Sequence, residues 1–362
     1  MTIPLVDLAA QSAEIVDEVL PVLERVLRTA SFVGGEPVRE FEAGFAAYTG
    51  VSHCVGVGNG TDALELALRA AGVTAGDEVI LPANTFIATA EAVSRIGASP
   101  VLVDVDPDRL LIDPLLVDKA ITARTRAVVP VHLFGQVAPM EPLADLTGAA
   151  GIALVEDAAQ AQGARRAGRT AGTFGVAAAT SFYPGKNLGA AGDAGAVLTD
   201  DEELATRVRV LADHGSPRKY VHDVVGFNSR LDAVQAVVLT AKLRRLEGWN
   251  RARRAAALRY AELLAELPGV RLPVPDGPQD ESAWHLFVVR VPDRDRVLAR
   301  LHEAGVGAGV HYPTPIHLTG AYAHLGHGPG DFPVAEEAAG QILSLPLHAH
   351  LGEADQEMVV EV

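Results

Sequence analysis

The residues best suited to catalysis lie in segment 180–189, which reads Thr-Ser-Phe-Tyr-Pro-Gly-Lys-Asn-Leu-Gly. Lys186 lies there in a turn that contains Pro184 and Gly185, directly after an apolar run. A lysine at the mouth of a packed sheet loses hydration, which lowers the pKa of its ammonium group and frees the amine as a nucleophile. The segment therefore predicts an amine nucleophile.

A pair of carboxylates lies at the end of another predicted strand, since Glu156 closes the run 152–156 and Asp157 follows it. Ligands of open α/β sheets bind outside the carboxyl ends of the strands. An aspartate in that place can orient a base, bind a metal ion or pair with a cationic ring nitrogen. The structural alternative is a helix N-cap, and the pattern alone leaves these roles open.

A glycine-rich turn over 56–60 precedes Thr61 and Asp62, and a helix is predicted over 62–71. Free N–H groups and the positive end of the helix dipole make such a turn a phosphate site. The dinucleotide fingerprint requires a third glycine where Thr61 stands, so that interpretation fails. Asp62 and Glu65 have the spacing of a capping box, and a tight structural turn is the alternative to phosphate binding.

An amine nucleophile, an earlier carboxylate and a separate phosphate turn form one combination when they are taken together. Their order along the chain suits a cofactor that forms a Schiff base and carries both a pyridinium nitrogen and a phosphate. That cofactor is pyridoxal 5'-phosphate (PLP). Each feature alone is weak evidence, and the combination is strong.

The elements that must position these residues alternate between strands and helices. Apolar spacing first predicts helices over 7–30 and 37–48. Strands are then predicted over 54–57, 78–81, 101–105, 127–133 and 152–156, with helices over 62–71, 86–96, 114–121 and 140–150. This alternation predicts a mostly parallel sheet covered by helices on both faces. Two further strands, 177–181 and 194–199, have no helix between them, which predicts one antiparallel member.

The chain changes character after residue 231, where 232–266 predict a long helix, followed by a strand over 285–291 and a helix over 293–304. We place a domain boundary near residue 240, with a large domain over 1–240 and a smaller α+β domain over 241–362. The basic residues of the long helix are expected to form a solvated face, because the chain as a whole is acidic. They are Lys242, Arg244, Arg245, Arg251, Arg253 and Arg254.

Composition narrows the class of protein. The 362 residues include 30 Lys and Arg against 46 Asp and Glu, a net charge of −16. Such a chain is a poor partner for nucleic acid or an anionic membrane, and no apolar stretch approaches the roughly 18 residues of a membrane helix. The single cysteine, Cys54, excludes an internal disulfide framework, and the histidine spacings fit no zinc pattern. With no signal-peptide pattern at the N-terminus, we expect a cytoplasmic enzyme without a metal site.

Six motifs resemble the DegT-type nucleotide-sugar aminotransferases of fold type I, in the same order along essentially the whole chain. They are Asn59-Gly60-Thr61-Asp62-Ala63-Leu64, Ala83-Asn84-Thr85-Phe86, Glu156-Asp157-Ala158-Ala159-Gln160, Ser181-Phe182-Tyr183-Pro184-Gly185-Lys186-Asn187-Leu188, Phe227-Asn228-Ser229-Arg230-Leu231-Asp232 and Gly309-Val310-His311-Tyr312-Pro313. The resemblance implies the fold type I aminotransferase architecture, with a mostly parallel central sheet and a smaller C-terminal domain.

The resemblance also implies the roles of the PLP-binding residues. Lys186 would form the Schiff base and then carry the proton between cofactor and substrate carbons, while Asp157 would keep the ring nitrogen protonated. Phe86 would stack on the ring, and Gln160 would contact the phenolic oxygen. The phosphate ligands would be Gly60, Thr61 and Ser181, with Asn228 supplied by the partner subunit. A homodimer with a shared active site would therefore be the minimal active unit.

The resemblance finally implies the reaction. L-glutamate would donate the amino group and leave as 2-oxoglutarate, and a dTDP-linked 3-keto-6-deoxyhexose would become a 3-amino-3,6-dideoxyhexose. Members that act on 4-keto sugars more often carry a histidine in place of Tyr183. A 4-keto-sugar aminotransferase and a catalytically silent PLP-binding partner or regulator stay open as alternatives. The side chains expected around the sugar and its diphosphate are Tyr183, Lys219, Tyr220, Arg230, His311 and Tyr312.

Overall fold

A computed structural model describes residues 2–274 and 277–362, and a seven-stranded sheet forms its centre. The first nine strands are β1 (His53–Val57), β2 (Glu78–Pro82), β3 (Ser99–Val103), β4 (Thr125–Val128), β5 (Ala153–Asp157), β6 (Arg165–Arg166), β7 (Arg169–Thr170), β8 (Ala177–Ser181) and β9 (Gly195–Thr199). The large sheet has the order β1-β9-β8-β5-β4-β2-β3, while β6 and β7 pair only with each other within the described residues.

The pairing of the strands confirms the predicted α/β class. The neighbours from β8 through β5, β4 and β2 to β3 are parallel. Strand β9 is antiparallel to both β1 and β8. It is the antiparallel strand that was predicted because no helix separates the segments 177–181 and 194–199. Because all the other strands share one direction, their carboxyl ends meet at one edge of the sheet.

Helices cover both faces of this sheet. The first eight are α1 (Leu8–Ala13), α2 (Val16–Thr29), α3 (Glu36–Thr49), α4 (Gly60–Ala70), α5 (Ile87–Ile96), α6 (Pro114–Ala120), α7 (Met140–Ala150) and α8 (Glu202–Ala212). Successive strand residues point to opposite faces. Val155 accordingly packs in a core with α4, α5 and α8, whereas its neighbour Leu154 packs in the core of the opposite face with α6 and α7.

Two of the predicted elements are shorter than expected. The helix predicted over 7–30 is broken between α1 and α2, because the carbonyl of Glu14 accepts a hydrogen bond from Arg245 instead of a helical N–H. The strand predicted over 127–133 ends at Val128 in β4. Pro130 has no N–H to continue the ladder, and a short 3₁₀ turn over Leu133–Gly135 follows. The early end of β4 brings residues 131 and 133 to the carboxyl edge of the sheet.

The C-terminal part begins with the long helix α9 (Ala233–Leu264), which passes through residue 240, so the division at that residue stays a prediction. It continues with β10 (Phe287–Arg290), α10 (Arg294–Glu303), α11 (Pro333–Gln341), β11 (Ile342–Leu345) and α12 (Glu353–Glu361), and with 3₁₀ turns over Ile316–Leu318 and Gly320–Leu325. Strands β10 and β11 form an antiparallel pair. Among the described residues, no helix is both long and apolar enough to cross a membrane.

The solvated basic face predicted on α9 is wrong in part. Arg253 is 1% exposed, and its Nη1 donates to the backbone carbonyls of Trp284, His285 and Leu347. Lys242 is buried as well. Arg253 therefore joins the long helix to the C-terminal strands instead of facing solvent, because a guanidinium group can satisfy several carbonyls at once.

Candidate active site

A cavity of about 760 Å³ lies at the carboxyl edge of the sheet, where the ends of β2, β4, β5 and β8 meet. Most of the predicted site residues line it. These are Gly60, Thr61, Phe86, Asp157, Gln160, Ser181, Tyr183, Lys186, His311 and Tyr312. The fold therefore collects in one place residues that are spread over some 250 positions of the chain, as expected at this edge of an open α/β sheet.

Asp157 is the last residue of β5 and is 5% exposed. Burial raises the pKa of its carboxyl group, although hydrogen bonds from Thr89 and Ala159 oppose the shift. Thr89 donates to Oδ2 at 2.8 Å, and the N–H of Ala159 donates to Oδ1 at 3.2 Å. The hydroxyl of Thr85 lies 2.9 Å from that of Thr89 and completes a short chain of hydroxyl groups behind the carboxylate. Asp157 is not a helix N-cap, and its carboxylate is oriented toward the cavity.

Lys186 follows β8 in the turn that the sequence indicates, and its half-buried side chain lines the same cavity. Loss of hydration lowers the pKa of its ammonium to about 8, and the carboxylate of Asp157 opposes that shift. An amine with this pKa is neutral in a useful fraction of molecules near neutral pH. The arrangement therefore supplies a nucleophilic amine and a buried carboxylate at the wall of one cavity.

The glycine-rich turn begins helix α4 at Gly60, beside the end of β8. A Cβ atom at Gly60 would lie 2.6 Å from the Cβ of Ser181, so only glycine fits there. The helix is capped by Asn59, whose Oδ1 accepts from the N–H of Asp62 at 2.8 Å. The predicted capping box of Asp62 and Glu65 is therefore wrong, since both carboxylates instead pair with Arg95. The first N–H groups of the helix remain available to an anion.

Aromatic and amide groups form the opposite wall. The rings of Phe86 and Tyr312 lie 5.1 Å apart at 37°, and half of Phe86 is exposed to the cavity side. Gln160 accepts from the N–H of Phe134 at 2.6 Å through Oε1 and donates to the Tyr312 hydroxyl at 3.1 Å through Nε2. Burial and the nearby charge of Asp157 raise the pKa of Tyr312, so its hydroxyl stays protonated. These bonds fix the orientation of the amide.

A histidine that the sequence did not single out, His285, also lines the cavity. The amide nitrogen of Asn187 donates to Asn250 at 2.9 Å and to the carbonyl of Ala283 at 2.7 Å, so its Oδ1 is an acceptor. The Nδ1 of His285, 3.2 Å from that oxygen, must therefore carry the proton. Burial and the positive charge of Lys186 hold the pKa of His285 well below its usual value. The ring is thus a neutral group of fixed tautomer.

Comparison with known proteins decides the family. A model of the DegT/DnrJ/EryC1/StrS aminotransferase family matches residues 13–362. The chain belongs to this family. It is therefore an aminotransferase, and the predicted resemblance is confirmed.

Relatives and solved structures of the DegT/DnrJ/EryC1/StrS family match over nearly the whole chain. The erythromycin biosynthesis sensory transduction protein EryC1 of Saccharopolyspora erythraea is 50% identical over 360 residues, 99% of this chain and 98% of the relative. A dTDP-3-amino-3,4,6-trideoxy-alpha-D-glucose transaminase of Streptomyces venezuelae is 49% identical over 349 residues, 96% and 92% of the two chains. The crystal structure of S. venezuelae DesV in complex with a ketimine intermediate has a TM-score of 0.97 at 48% identity, covering 99% and 97%.

Four residues expected from the family motifs lie outside the cavity of their own chain. Lys219, Tyr220, Asn228 and Arg230 belong to residues 213–230, which we call the arm. The Nζ of Lys219 lies 5.0 Å from the ring centre of Tyr220, and that tyrosine is 83% exposed. Arg230 pairs with Asp213 at 2.8 Å. The arm thus presents these side chains to solvent and not to the cavity.

Three further groups near the site received no role from the sequence. Thr89, on α5, reaches the carboxylate of Asp157, and Asn59, although it belongs to the first motif, caps helix α4. His285 lies in an apolar run just before β10. A polar residue in such a run is the one signal that would have marked it, since buried polar side chains need partners.

Proposed function

We propose that this chain is a PLP-dependent sugar aminotransferase. It would transfer the amino group of L-glutamate to a dTDP-linked 3-keto-6-deoxyhexose, giving a dTDP-3-amino-3,6-dideoxyhexose and 2-oxoglutarate. The observation that carries the proposal is the pair of Lys186 and Asp157 at the wall of one cavity, beside a helix N-terminus suited to phosphate. Burial raises the pKa of the Asp157 carboxyl group and lowers the pKa of the Lys186 ammonium group, and such shifts are common at catalytic sites.

The residues present fit the cofactor. The tight contact of Gly60 with Ser181 leaves the N–H groups of the α4 N-terminus open, so Gly60, Thr61 and Ser181 would hold the phosphate. Phe86 would cover one face of the ring, and Gln160 would contact its phenolic oxygen. When bound, PLP supplies an aldehyde for the lysine and a ring that accepts the electron pair of the substrate carbon.

Side chains of the protein would then transfer and hold the protons. The neutral Nζ of Lys186 acts first as nucleophile and later as the base and acid that moves one proton between carbon atoms. Asp157 keeps the ring nitrogen protonated because its carboxylate, held by Thr89 and the N–H of Ala159, would pair with a cationic nitrogen. A bound cation would also offset the burial that raises the pKa of this carboxyl group.

The sugar would lie against Tyr183, His311 and Tyr312. His311 is held by Ser344, whose Oγ is 2.8 Å from its Nδ1, and burial together with Lys186 lowers the pKa of the imidazole. The position of amination is supported by the S. venezuelae relative, whose name is that of a 3-amino-sugar transaminase. A 4-keto sugar is the second candidate substrate.

The active unit would be a homodimer. Arg95 and Lys186 are the cations among the described residues of the cavity wall, and Arg95 already pairs with two carboxylates. A diphosphate would need further positive charge. The arm carries Lys219 and Arg230 together with exposed apolar side chains, of which Val225 is 94% exposed. A second copy would bury that surface and bring both cations and Asn228 to its partner's cavity.

The first experiment tests the cofactor and the lysine. Purified protein mixed with PLP should show a visible absorption band, and Lys186→Ala should lose the band while it melts at the same temperature. Lys119→Ala, which removes an exposed lysine at the end of α6 outside the cavity, is the control and should keep the band. A colourless wild type with excess PLP would contradict the enzyme proposal.

The second experiment decides the substrate. We would offer 3-keto and 4-keto dTDP-sugars with L-glutamate and identify the aminated carbon by NMR. Amination at C3 is expected, and amination at C4 alone would establish the 4-keto alternative. A protein that shows the band but aminates neither sugar would favour the regulatory alternative, to which the sensory-transduction name of the S. erythraea relative gives specific support.

A further inference from the structure

Ser229 connects the arm to the phosphate turn of its own chain. The residue is 2% exposed, and its hydroxyl accepts a hydrogen bond from the N–H of Gly58 at 3.0 Å and donates to Oδ2 of Asp62 at 2.7 Å. Gly58 and Asp62 lie on either side of the turn that begins α4. One hydroxyl group therefore joins both sides of the turn, although Ser229 does not itself line the cavity.

The turn side of this connection is rigid. The other oxygen of Asp62 pairs with Arg95 at 3.0 Å, and the N–H of Asp62 donates to Asn59. The Nε of Arg95 also pairs with Glu65 at 2.8 Å, and Glu65 is itself almost fully buried. Because each group already has a fixed partner, a shift of the turn changes the position of Asp62 and therefore of Ser229.

The arm side is equally well connected. The N–H of Ser229 donates to the carbonyl of Ala212, the last residue of α8, at 2.9 Å. Both neighbours of Ser229 contact Asp213: Asn228 forms a backbone bridge with it, and Arg230 forms an ion pair with its carboxylate. Ser229 is thus the buried residue between the two arm side chains, Asn228 and Arg230, that would serve the partner's cavity.

We propose that Ser229 is a positioning residue that couples phosphate binding in one subunit to the arm that completes the active site of the other. This inference rests on the proposed homodimer. A phosphate bound at the turn of one chain sets the position of the turn and with it that of Asp62 and Ser229, and Ser229 then holds the arm in the position that delivers Asn228 to the partner. Such coupling is reciprocal, so an occupied site in either subunit favours phosphate binding in the other.

Mixed dimers test the coupling. Each dimer contains one subunit with Lys186 and one Lys186→Ala subunit, so that the visible band reports PLP binding at a single site. Ser229→Ala is placed either in the reporting subunit or in its partner. In both arrangements the dissociation constant for PLP should rise about tenfold, the size expected for a lost hydrogen bond to a charged group. Pyridoxal, which lacks the phosphate, should bind with less than about a twofold change.

Ser52→Ala is the matched control. The Ser52 hydroxyl also donates to a carboxylate, that of Asp200 at 2.9 Å, but at an exposed site. It should leave both ligands unaffected. Ser229→Cys serves as a second variant if the alanine lowers the melting temperature, because it keeps the shape and weakens the hydrogen bond.

Three outcomes are decisive. Weaker PLP binding in both arrangements, with pyridoxal unchanged, supports the coupling. An effect confined to the subunit that carries Ser229→Ala, or no effect in either arrangement, overturns it while leaving the proposed function intact. Sedimentation of the same samples separates the two proposals, since a monomer refutes the homodimer and the coupling together.

Discussion

Two parts of the molecule differ in how they are held. One is the part of the cavity wall formed by Asp157 and Lys186, which we call the floor, and the other is the arm. Asp157 and Lys186 stand at the ends of neighbouring strands, and Asp157 is held by buried hydrogen bonds within one chain. The arm has its own backbone hydrogen bonds but leaves Tyr220 and Val225 almost fully exposed. The amine and the carboxylate therefore lie in one cavity of a single chain, whereas the phosphate and substrate contacts that we propose for the arm would need a second chain.

This difference separates two kinds of function. Residues of the floor should act within a single chain, and their substitution should change proton transfer and the pH dependence of the site. Residues of the arm should act on the partner's cavity, and their substitution should change ligand affinity in a way that a second chain can correct. Experiments that mix subunits or vary pH distinguish the two kinds directly.

The largest effect is expected from pH acting on Lys186. Its pKa is lowered to about 8, so the amine gains a proton as the pH falls below that value and loses its nucleophilic electron pair. The rate at which the protein without cofactor captures PLP should rise by about a hundredfold from pH 6 to its plateau, with the midpoint near 8. Stopped-flow absorbance measures this rate. A midpoint near the ordinary lysine value of about 10.4 would show that the floor is hydrated.

Asp157→Asn should produce an effect of similar size, a loss of about a hundredfold in kcat, because a neutral amide does not hold the proton of a ring nitrogen. Gln160→Ala, which removes one neutral contact in the same cavity, is the matched comparison and should cost only about tenfold. In the wild type the carboxylate of Asp157 opposes the fall in the pKa of Lys186. Its removal in Asp157→Asn should therefore also lower the pH midpoint of PLP capture. Equal losses in the two variants would contradict the role of the charge.

Much of the floor could be predicted from the sequence. Strands that alternate with helices predict a mostly parallel sheet, so Asp157, which follows the strand predicted over 152–156, is expected at its carboxyl edge. No predicted helix separates that strand from 177–181, and Lys186 is joined to Asp157 by the combination of amine, carboxylate and phosphate turn that suits PLP. The family motifs added Phe86, Gln160 and Tyr312, which lie around the same cavity. Local patterns suffice for Asp157, whereas the parallel pairing of β5 with β8, which places Lys186 beside it, is seen only in the structure.

The remaining features depend on contacts between distant segments. The hydroxyl of Thr89 and the imidazole of His285 reach the site through partners 68 and 98 positions away, which no local spacing encodes. The buried Arg253 was expected in solvent because charge patterning does not show that three carbonyls converge on it. The arm is a third case, since its motifs were found but its position relative to a partner requires the assembled dimer.

Asn228→Ala tests the arm with an intermediate effect. Loss of one amide that contacts phosphate should weaken PLP binding by about tenfold. At a PLP concentration below the weakened dissociation constant, mixing Asn228→Ala subunits with Lys186→Ala subunits should raise activity, because one of the two cavities of the hybrid then combines an intact Lys186 with a partner's intact Asn228. Titration of the mixture and assay of turnover measures this recovery.

The matched control for the arm is a hybrid of Lys186→Ala with Asp157→Asn subunits. Both substitutions belong to the floor, and each chain supplies its own Lys186 and Asp157, so neither cavity of this hybrid has an intact floor and no recovery of activity is expected. If the Asn228 hybrid recovers no more activity than this floor hybrid, Asn228 does not act across the interface.

The smallest effect is expected from Thr89→Val, which keeps the shape of a side chain that is 1% exposed and removes its hydroxyl. Oδ2 of Asp157 then loses a donor and the Thr85 hydroxyl loses its neighbour, so the pKa of Asp157 should rise further. We expect kcat to fall by about threefold to tenfold with KM for the sugar unchanged, the size of one weakened hydrogen bond. Thr85→Val, one step farther from the carboxylate, should lower kcat less. A larger loss from Thr85→Val than from Thr89→Val would mean that the hydroxyl chain holds helix α5 in place and does not orient the carboxylate.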